Sequence, residues 1–363
     1  MRKMNSLKLS FLLVVIFFIS CNSPEKDVYV VGAETNSDHK WSATLWKNGA
    51  SQNLTDASSY GTNAGSVYVF GKDVYVVGTE CFGGEKYGMS FAILWKNGVR
   101  QNLTDGKSGA GANSVFVSKN NVYVAGWEKN ALGIAVAKLW KNGVPQSITN
   151  GSYDSWAEFV YVAENNDVYV VVEERNPQNT NDKVLYKNGV QSNLPKGTNS
   201  IFILGRDVYA VGERSNERGY ATARLWKNGE EQYLEQGRAT IARKVFVSGK
   251  DVYVIGEESY EIDVTNLSED DIRLRGRKKD DKYKPTYWAA TIWKNGKKQN
   301  LSNNNYDSYA YSIYVQGKDV YVVGAECNAK HGWIGVVKLW KNGVPQNLSD
   351  GSYTSIAHSV FVK

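Results

Sequence analysis

Glu158, Arg243, Tyr311 and His358 supply a carboxylate, a guanidinium, a phenol and an imidazole, the groups from which acid–base catalysis is assembled. They share a context. Each stands two residues before the leading Val or Ile of a short alternating run, and Gly65, Asn113 and Asn199 hold the same place in other copies of that run. The flanking residues barely change, while this position keeps changing. If the runs are the innermost strands of a ring, the position lies at the mouth of a central channel. Convergent polar side chains there would bind a ligand or move protons, with Asn113 and Asn199 as ligand-binding amides and the four ionisable residues as catalytic candidates.

Two further sets could do chemistry. The chain has 3 histidines, His39, His331 and His358. His39 and His331 occupy matching stretches, Asp38-His39-Lys40-Trp41 and Lys330-His331-Gly332-Trp333, which makes the three imidazoles candidate metal ligands or a base. No ligand spacing accompanies them, and no cofactor is called for. Of the 11 tryptophans, Trp41, Trp127, Trp156, Trp288 and Trp333 fall in or beside loops, where aromatic faces suit sugar rings or peptide anchors. The other six, Trp46, Trp95, Trp140, Trp226, Trp293 and Trp340, alternate with Ala and Leu and read as core.

The elements that must position these residues come from a repeat. A Val-Tyr-Val-like strand, then an aromatic followed by Lys-Asn-Gly, recurs along the chain, with Lys-Asn-Gly starting at Lys47, Lys96, Lys141, Lys187, Lys227, Lys294 and Lys341. A period of about 45 residues built from short strands means a propeller or a solenoid. Each Asn-Gly favours a type I′ hairpin, because both residues tolerate positive φ. One copy reads as four antiparallel strands. The first copy begins at its second strand, Asp27-Val28-Tyr29-Val30, and the missing first strand is found at the far end as Ser359-Val360-Phe361-Val362. The expectation is an all-β, seven-bladed β-propeller whose C-terminal strand completes the first blade, closing the ring and removing free sheet edges.

Alternating strand direction then splits the molecule into two faces. Gly-Lys and Lys-Asn-Gly turns make one face uniform and lysine-rich; its lysines keep the turns soluble or meet anionic headgroups. Loops of varying length make the other face, where binding is expected. A second regular position follows the second strand: Glu34, Glu80, Glu128, Glu174, Glu258 and Glu326, with Arg214 in the fifth copy. Its regularity predicts a structural bond, the carboxylate accepting from a neighbouring blade's backbone or from a lysine. The fourth copy is degenerate, with Val172 for the strand Gly and Tyr186 for the Trp. The sixth carries an insertion over 259–287, in which Ser268 reads as a helix cap ahead of a basic run from Arg273 to Lys279.

Arg2, Lys3 and Lys8 precede an apolar run from Phe11 to Ile19, too short to span a bilayer, and Ser20-Cys21 follows. Residues 1–20 therefore resemble a bacterial lipoprotein signal, with Cys21 the acylation site, 21–26 a short tether and 27–363 the propeller. Asn22 after the Cys implies outer-membrane delivery. Cys81 and Cys327 occupy equivalent positions in separated copies, which predicts two unpaired thiols. The repeats resemble those of bacterial propeller lipoproteins carrying Val-Tyr-Val-x-Gly and Leu-Trp-Lys-Asn-Gly, a likeness that implies a cell-envelope propeller and brings no established activity.

A net charge of +6, from 43 basic and 37 acidic residues spread along the chain, argues against a nucleic-acid partner. No sialidase Asp-box, WD signature, Gly-x-Ser-x-Gly or phosphate-binding loop is present. The expected function is a monomeric, lipid-anchored, non-catalytic propeller that binds a protein or glycan through its variable face. The alternatives are a hydrolase or lyase at the channel mouth and a structural or assembly scaffold.

Overall fold

The computed structural model describes residues 26–55, 59, 61–83, 89–175, 177–178, 180–234, 238–261, 286–302, 306–328 and 334–363. The signal, Cys21, His331, Trp333 and most of the 259–287 insertion, with its Ser268 cap and basic run, lie outside them. Regular structure among the described residues is all β, 28 strands pairing as four-stranded antiparallel units in a β-propeller arrangement, the first two units joined by one parallel pairing of Trp41 with Gly61. The first unit is built from β28 (Ser355–Val362), β1 (Val28–Thr35), β2 (Trp41–Lys47) and β3 (Ala50–Asn53). Every later unit takes four strands in chain order. In the first, the C-terminal strand lies beside the N-terminal one, with Tyr29 opposite Phe361 and Val30 opposite Val360.

Position within a unit decides composition. The second strand is packed on both sides by neighbouring sheets, so β5 (Asp73–Phe82) buries Tyr75, Val76 and Val77 in succession. The outermost strand, such as β7 (Val99–Asn102), is exposed throughout and polar. Between units lie shared apolar cores. Trp95 of the second unit packs with Val31, Ala43 and Leu45 of the first, and Trp46 of the first packs with Tyr321, Val323 and Val337 of the last. All six repeat tryptophans are almost fully buried.

The repeated phrase is a hydrogen-bonded knot. In the second unit, Lys96 Nζ lies 2.8 Å from Asp73 Oδ2, Asn97 Nδ2 donates to Asp73 Oδ1 at 2.8 Å, and the Val74 amide donates to Asn97 Oδ1 at 2.8 Å. Lys96 also sits over the Tyr75 ring at 5.3 Å. Asn97 (φ 53°) and Gly98 (φ 78°) supply the left-handed pair that a type I′ turn needs. The same knot ties Asp27 to Lys47, Asp167 to Lys187, Asp207 to Lys227 and Asp251 to Lys294. In the third unit Asn121 replaces the Asp. There Asn142 still bonds Asn121, and Lys141 keeps only its ring contact with Tyr123. Most lysines of this face are therefore engaged in the turns themselves.

Candidate functional site: the channel mouth and the groove beside it

The innermost strands are β4 (Gly61–Phe70), β8 (Ala110–Ser118), β12 (Ser155–Val162), β16 (Thr198–Leu204), β20 (Thr240–Ser248), β24 (Ser308–Gln316) and β28. Each slips register by one residue against its partner. The residue left unpaired is the variable one: Gly65, Asn113, Glu158, Asn199, Arg243, Tyr311 or His358. The variable position is thus a β-bulge, a device that re-aims a side chain out of the pleat. The strand glycine opposite is part of the device: a Cβ on Gly78 would lie 1.9 Å from the Asn63 carbonyl oxygen that the bulge pushes toward it. No spacing rule shows a bulge, so the sequence reading found the position and missed its cause.

Three bulge side chains tie their unit to the next. Asn113 Nδ2 donates to Ala157 O at 3.0 Å, and Asn199 Nδ2 to Ala242 O at 3.0 Å. His358 Nδ1 lies 3.0 Å from Ala64 O. A carbonyl only accepts, so Nδ1 carries the proton and Nε2 is left as an acceptor. Burial holds this imidazole below its ordinary pKa, so it is neutral at pH 7.

The ionisable bulge residues are paired as well. Glu158 forms an ion pair with Lys183. Arg243 Nε lies 2.7 Å from both oxygens of Glu257, which is fully buried and also accepts from the Ala310 amide at 3.2 Å. Burial pushes the Glu257 carboxyl up to about 7 against the pull of Arg243. The Arg243 guanidinium stands 5.7 Å from the Tyr311 ring, which stacks at 6.0 Å on Tyr309. Burial pushes the Tyr311 phenol up to about 12, so it is a hydrogen-bond donor rather than a base.

Glu173, Glu213 and Glu257 were missed by the sequence reading. They occupy one position, directly after the strand Gly or its Val172 substitute, in three consecutive units, where other units carry Ala33, Thr79, Trp127 and Ala325. That run of three was the available signal. It was hidden by the more regular glutamates one residue later. Glu213 accepts from Asn199 Nδ2 at 2.5 Å, and burial raises its carboxyl. Glu173 is raised by burial and by Glu158.

Apart from Glu34, the regular glutamates bond within their own sheet rather than to a neighbouring one. Glu80 pairs with Arg100 at 2.5 Å, Glu258 with Lys298 at 2.7 Å and Glu326 with Lys338 at 3.1 Å. In the fourth unit, Tyr186, standing in for the Trp, donates to Glu174 at 2.5 Å. The fifth reverses the signs, with Arg214 on Glu231 at 2.8 Å.

The loop tryptophans do not form one patch. Trp127 packs over Gly111, Trp156 carries Arg175 at 5.7 Å, and the Trp288 amide is held by Asp307 at 2.8 Å; all three are half-buried. Trp41 is 37% exposed and walls a cavity of about 850 Å³ between the first two units. Asp38, His39, Lys40, Thr62, Asn63, Thr79, Cys81 and His358 share its lining. His39 holds φ 57° in the tight Asn36–Lys40 turn at its rim. His39 and His358 therefore face the same space, but among the described residues no three His, Cys, Asp or Glu side chains come together as a metal would need. Cys81 and Cys327 are unpaired and half-buried, and burial raises both thiols.

No family model matches the chain, and no curated protein does. Among solved structures it is similar to the β-propeller domain of the Trilobed protease from Pyrococcus furiosus: 11% identity over 90% of this chain and 99% of that one, TM-score 0.49. It is similar to a Mycobacterium tuberculosis puromycin-hydrolyzing peptidase, at 9% identity over 89% and 53% of the two chains, TM-score 0.49. It also resembles a Pyrococcus horikoshii acylaminoacyl peptidase, at 11% identity over 79% and 46%, TM-score 0.47. The chain thus spans about half the length of the two peptidases. At these identities, and with TM-scores under 0.5, none of the likenesses bears on what this chain binds or catalyses.

Proposed function

We propose that the protein is a seven-bladed propeller closed by its C-terminal strand, tethered by a lipid on Cys21 to the outer membrane, and that it binds a glycan or peptide without transforming it. The observation that carries the binding reading is the cavity of about 850 Å³ on the variable face, where the exposed Trp41 stands over hydroxyl, amide and imidazole groups. An aromatic wall with a few polar groups is the usual make-up of a ligand pocket. Catalysis at the channel mouth is the weaker reading, because Asn113, Asn199 and His358 each spend a polar atom on a cross-unit bond and Arg243 is held by Glu257. A scaffold working through lysines is weaker still, since Lys47, Lys96, Lys187, Lys227 and Lys294 are bonded to the aspartates of their own turns.

The anchor implies an orientation. Asp27 and Lys26 both belong to the tight-turn face, through Lys47 at 2.9 Å and Asp319 at 2.9 Å. A tether over 21–26 reaches about 20 Å at most, so that face would lie toward the bilayer and the Trp41 cavity away from it. Glycan and peptide arrays probed with the full chain test the binding reading. Trp41→Ala should weaken any hit about tenfold or more while leaving the unfolding midpoint in place. Undiminished binding by that variant refutes the groove as the site. For the anchor, Cys21→Ser should move the protein from the membrane to the soluble fraction.

A further inference from the structure

The axial cavity is variable at its mouth and lined by aromatic rings at its other end. Seven aromatic side chains, one per innermost strand, lie toward the tight-turn end, touching in an arc from Phe202 through Phe246, Tyr314, Phe361, Tyr68 and Phe116 to Tyr161, with Tyr68 to Phe116 at 4.8 Å, Phe246 to Tyr314 at 5.3 Å and Tyr314 to Phe361 at 4.8 Å between centroids. Two residues up each strand lies a polar level, and the cavity of about 240 Å³ that it lines also touches the bulge residues Asn113, Glu158 and His358. Five strands place a serine at this level: Ser66, Ser114, Ser200, Ser312 and Ser359. The remaining two place Phe159 and Lys244.

At this level the serines keep hydroxyl donors for the cavity, whose lining acceptors include the Glu158 carboxylate, paired with Lys183, and His358 Nε2. Four serine oxygens accept a backbone amide of the next unit: Ser66 from Val115 at 3.3 Å, Ser114 from Val160 at 3.3 Å, Ser312 from Val360 at 3.3 Å and Ser359 from Val67 at 3.4 Å. Their hydroxyl protons remain to be donated. The carbonyls of Ala64, Ala157 and Ala242 just above are taken by the bulge side chains. Lys244 has no hydrogen bond or ion pair among the described residues. The charges it feels are Lys183, which repels it, and Glu158, which Lys183 already pairs. A half-buried cation among hydroxyl donors, with no carboxylate of its own, is set up for an anion.

We propose that the floor of the axial cavity binds one small monovalent anion, a halide or the carboxylate of a small acid, on Lys244 and the serine hydroxyls. The site is separate from the Trp41 groove, with His358 as the shared wall. Burial lowers the Lys244 ammonium's pKa, and a bound anion opposes that shift. Calorimetric titration of the full chain with sodium acetate and with sodium chloride, at constant ionic strength in a bulky-anion buffer, should give one saturable site. Acetamide, the uncharged counterpart, should give none. Acetate heat alone assigns a carboxylate site; heat from both assigns a site that also takes a halide. Lys244→Met should weaken binding about tenfold or more, as expected for a lost charged hydrogen bond, and Lys244→Arg should keep most of it. Trp41→Ala should leave the isotherm unchanged, which separates this site from the groove. Silence with both salts, or equal binding by Lys244→Met, overturns the proposal. Should Lys244→Met fail to fold, lysine Cε resonances of wild type under acetate decide instead: none moving also overturns it.

Discussion

The two ends of each repeat solve opposite problems. At the tight-turn end five units repeat one Asp–Lys–Asn–Tyr knot, and the third keeps it with a single Asp-to-Asn change. At the mouth every unit repeats a bulge, but no one side chain is held in common all the way from Gly65 round to His358. The backbone is equally regular at both ends. The side-chain freedom differs because the knot's groups bond one another in one fixed set, whereas bulge residues meet different partners: a carbonyl of the next unit for Asn113, Asn199 and His358, Lys183 for Glu158 and Glu257 for Arg243. Rigid geometry with free chemistry is what a binding surface on a scaffold requires.

The largest effect should come from the core that both ends share. Trp95 is fully buried between two units. Trp95→Ala should cost about 3–5 kcal/mol in denaturant unfolding. A loss under 1 kcal/mol would mean that the units are not held together by their tryptophans. Next is the knot. Asn97→Ala removes two hydrogen bonds and leaves at φ 53° a residue without the local side-chain bonding that lets Asn hold the left-handed conformation, for a cost of about 2 kcal/mol. A comparable change in a loop of the other face, Leu132→Ser at 82% exposure, should stay within about 0.5 kcal/mol. Equal losses at the two sites would erase the contrast.

That contrast also decides what could be read in advance. The strands, the type I′ turns, the pairing of the C-terminal strand at Val360 with the first strand at Val30 and the buried tryptophans were legible, because each depends on a local pattern repeated many times. Asp38-His39-Lys40-Trp41 was legible as a surface loop but not as the wall of a cavity, because its partners Thr62 and Asn63 come from another unit. The Arg243–Glu257 bond was illegible for a similar reason. Only the bulge turns residue 243 toward residue 257 across the strand pair, and a bulge leaves no mark in alternation. Lys244 shows the same limit: at the channel level it replaces a serine, a substitution that means something only once the seven strands share one cavity.

The two ends should also answer to pH with opposite signs. Glu257 has its carboxyl raised in the folded state, from an ordinary value of 4.5 to about 7. The folded protein therefore holds this proton more tightly than the unfolded chain. The resulting stability is complete below about pH 4.5 and is lost as pH rises to about 7. Glu257→Gln should flatten that part of the stability profile by up to about 3 kcal/mol. A profile unchanged by the substitution would mean that Arg243 keeps Glu257 ionised throughout.

The smallest effect, and the finest test, lies in the knot's aspartates. Hydrogen bonds from Lys187 and then Asn188 hold Asp167 down at about 2, against an ordinary 3.8. The folded state thus favours the carboxylate. Its contribution is present above about pH 4 and fades as pH falls toward 2. Asp167→Asn copies what the third unit already does at Asn121, keeping the Asn–Asn bond and the lysine over its tyrosine while removing the ion pair. Because this pair is open to water, the loss should be slight at pH 7, smaller at high salt, and gone near pH 2. A loss at pH 7 as large as that of Asn97→Ala would reverse the order of importance within the knot: the ion pair, not the Asn-centred turn, would then be what keeps this face uniform.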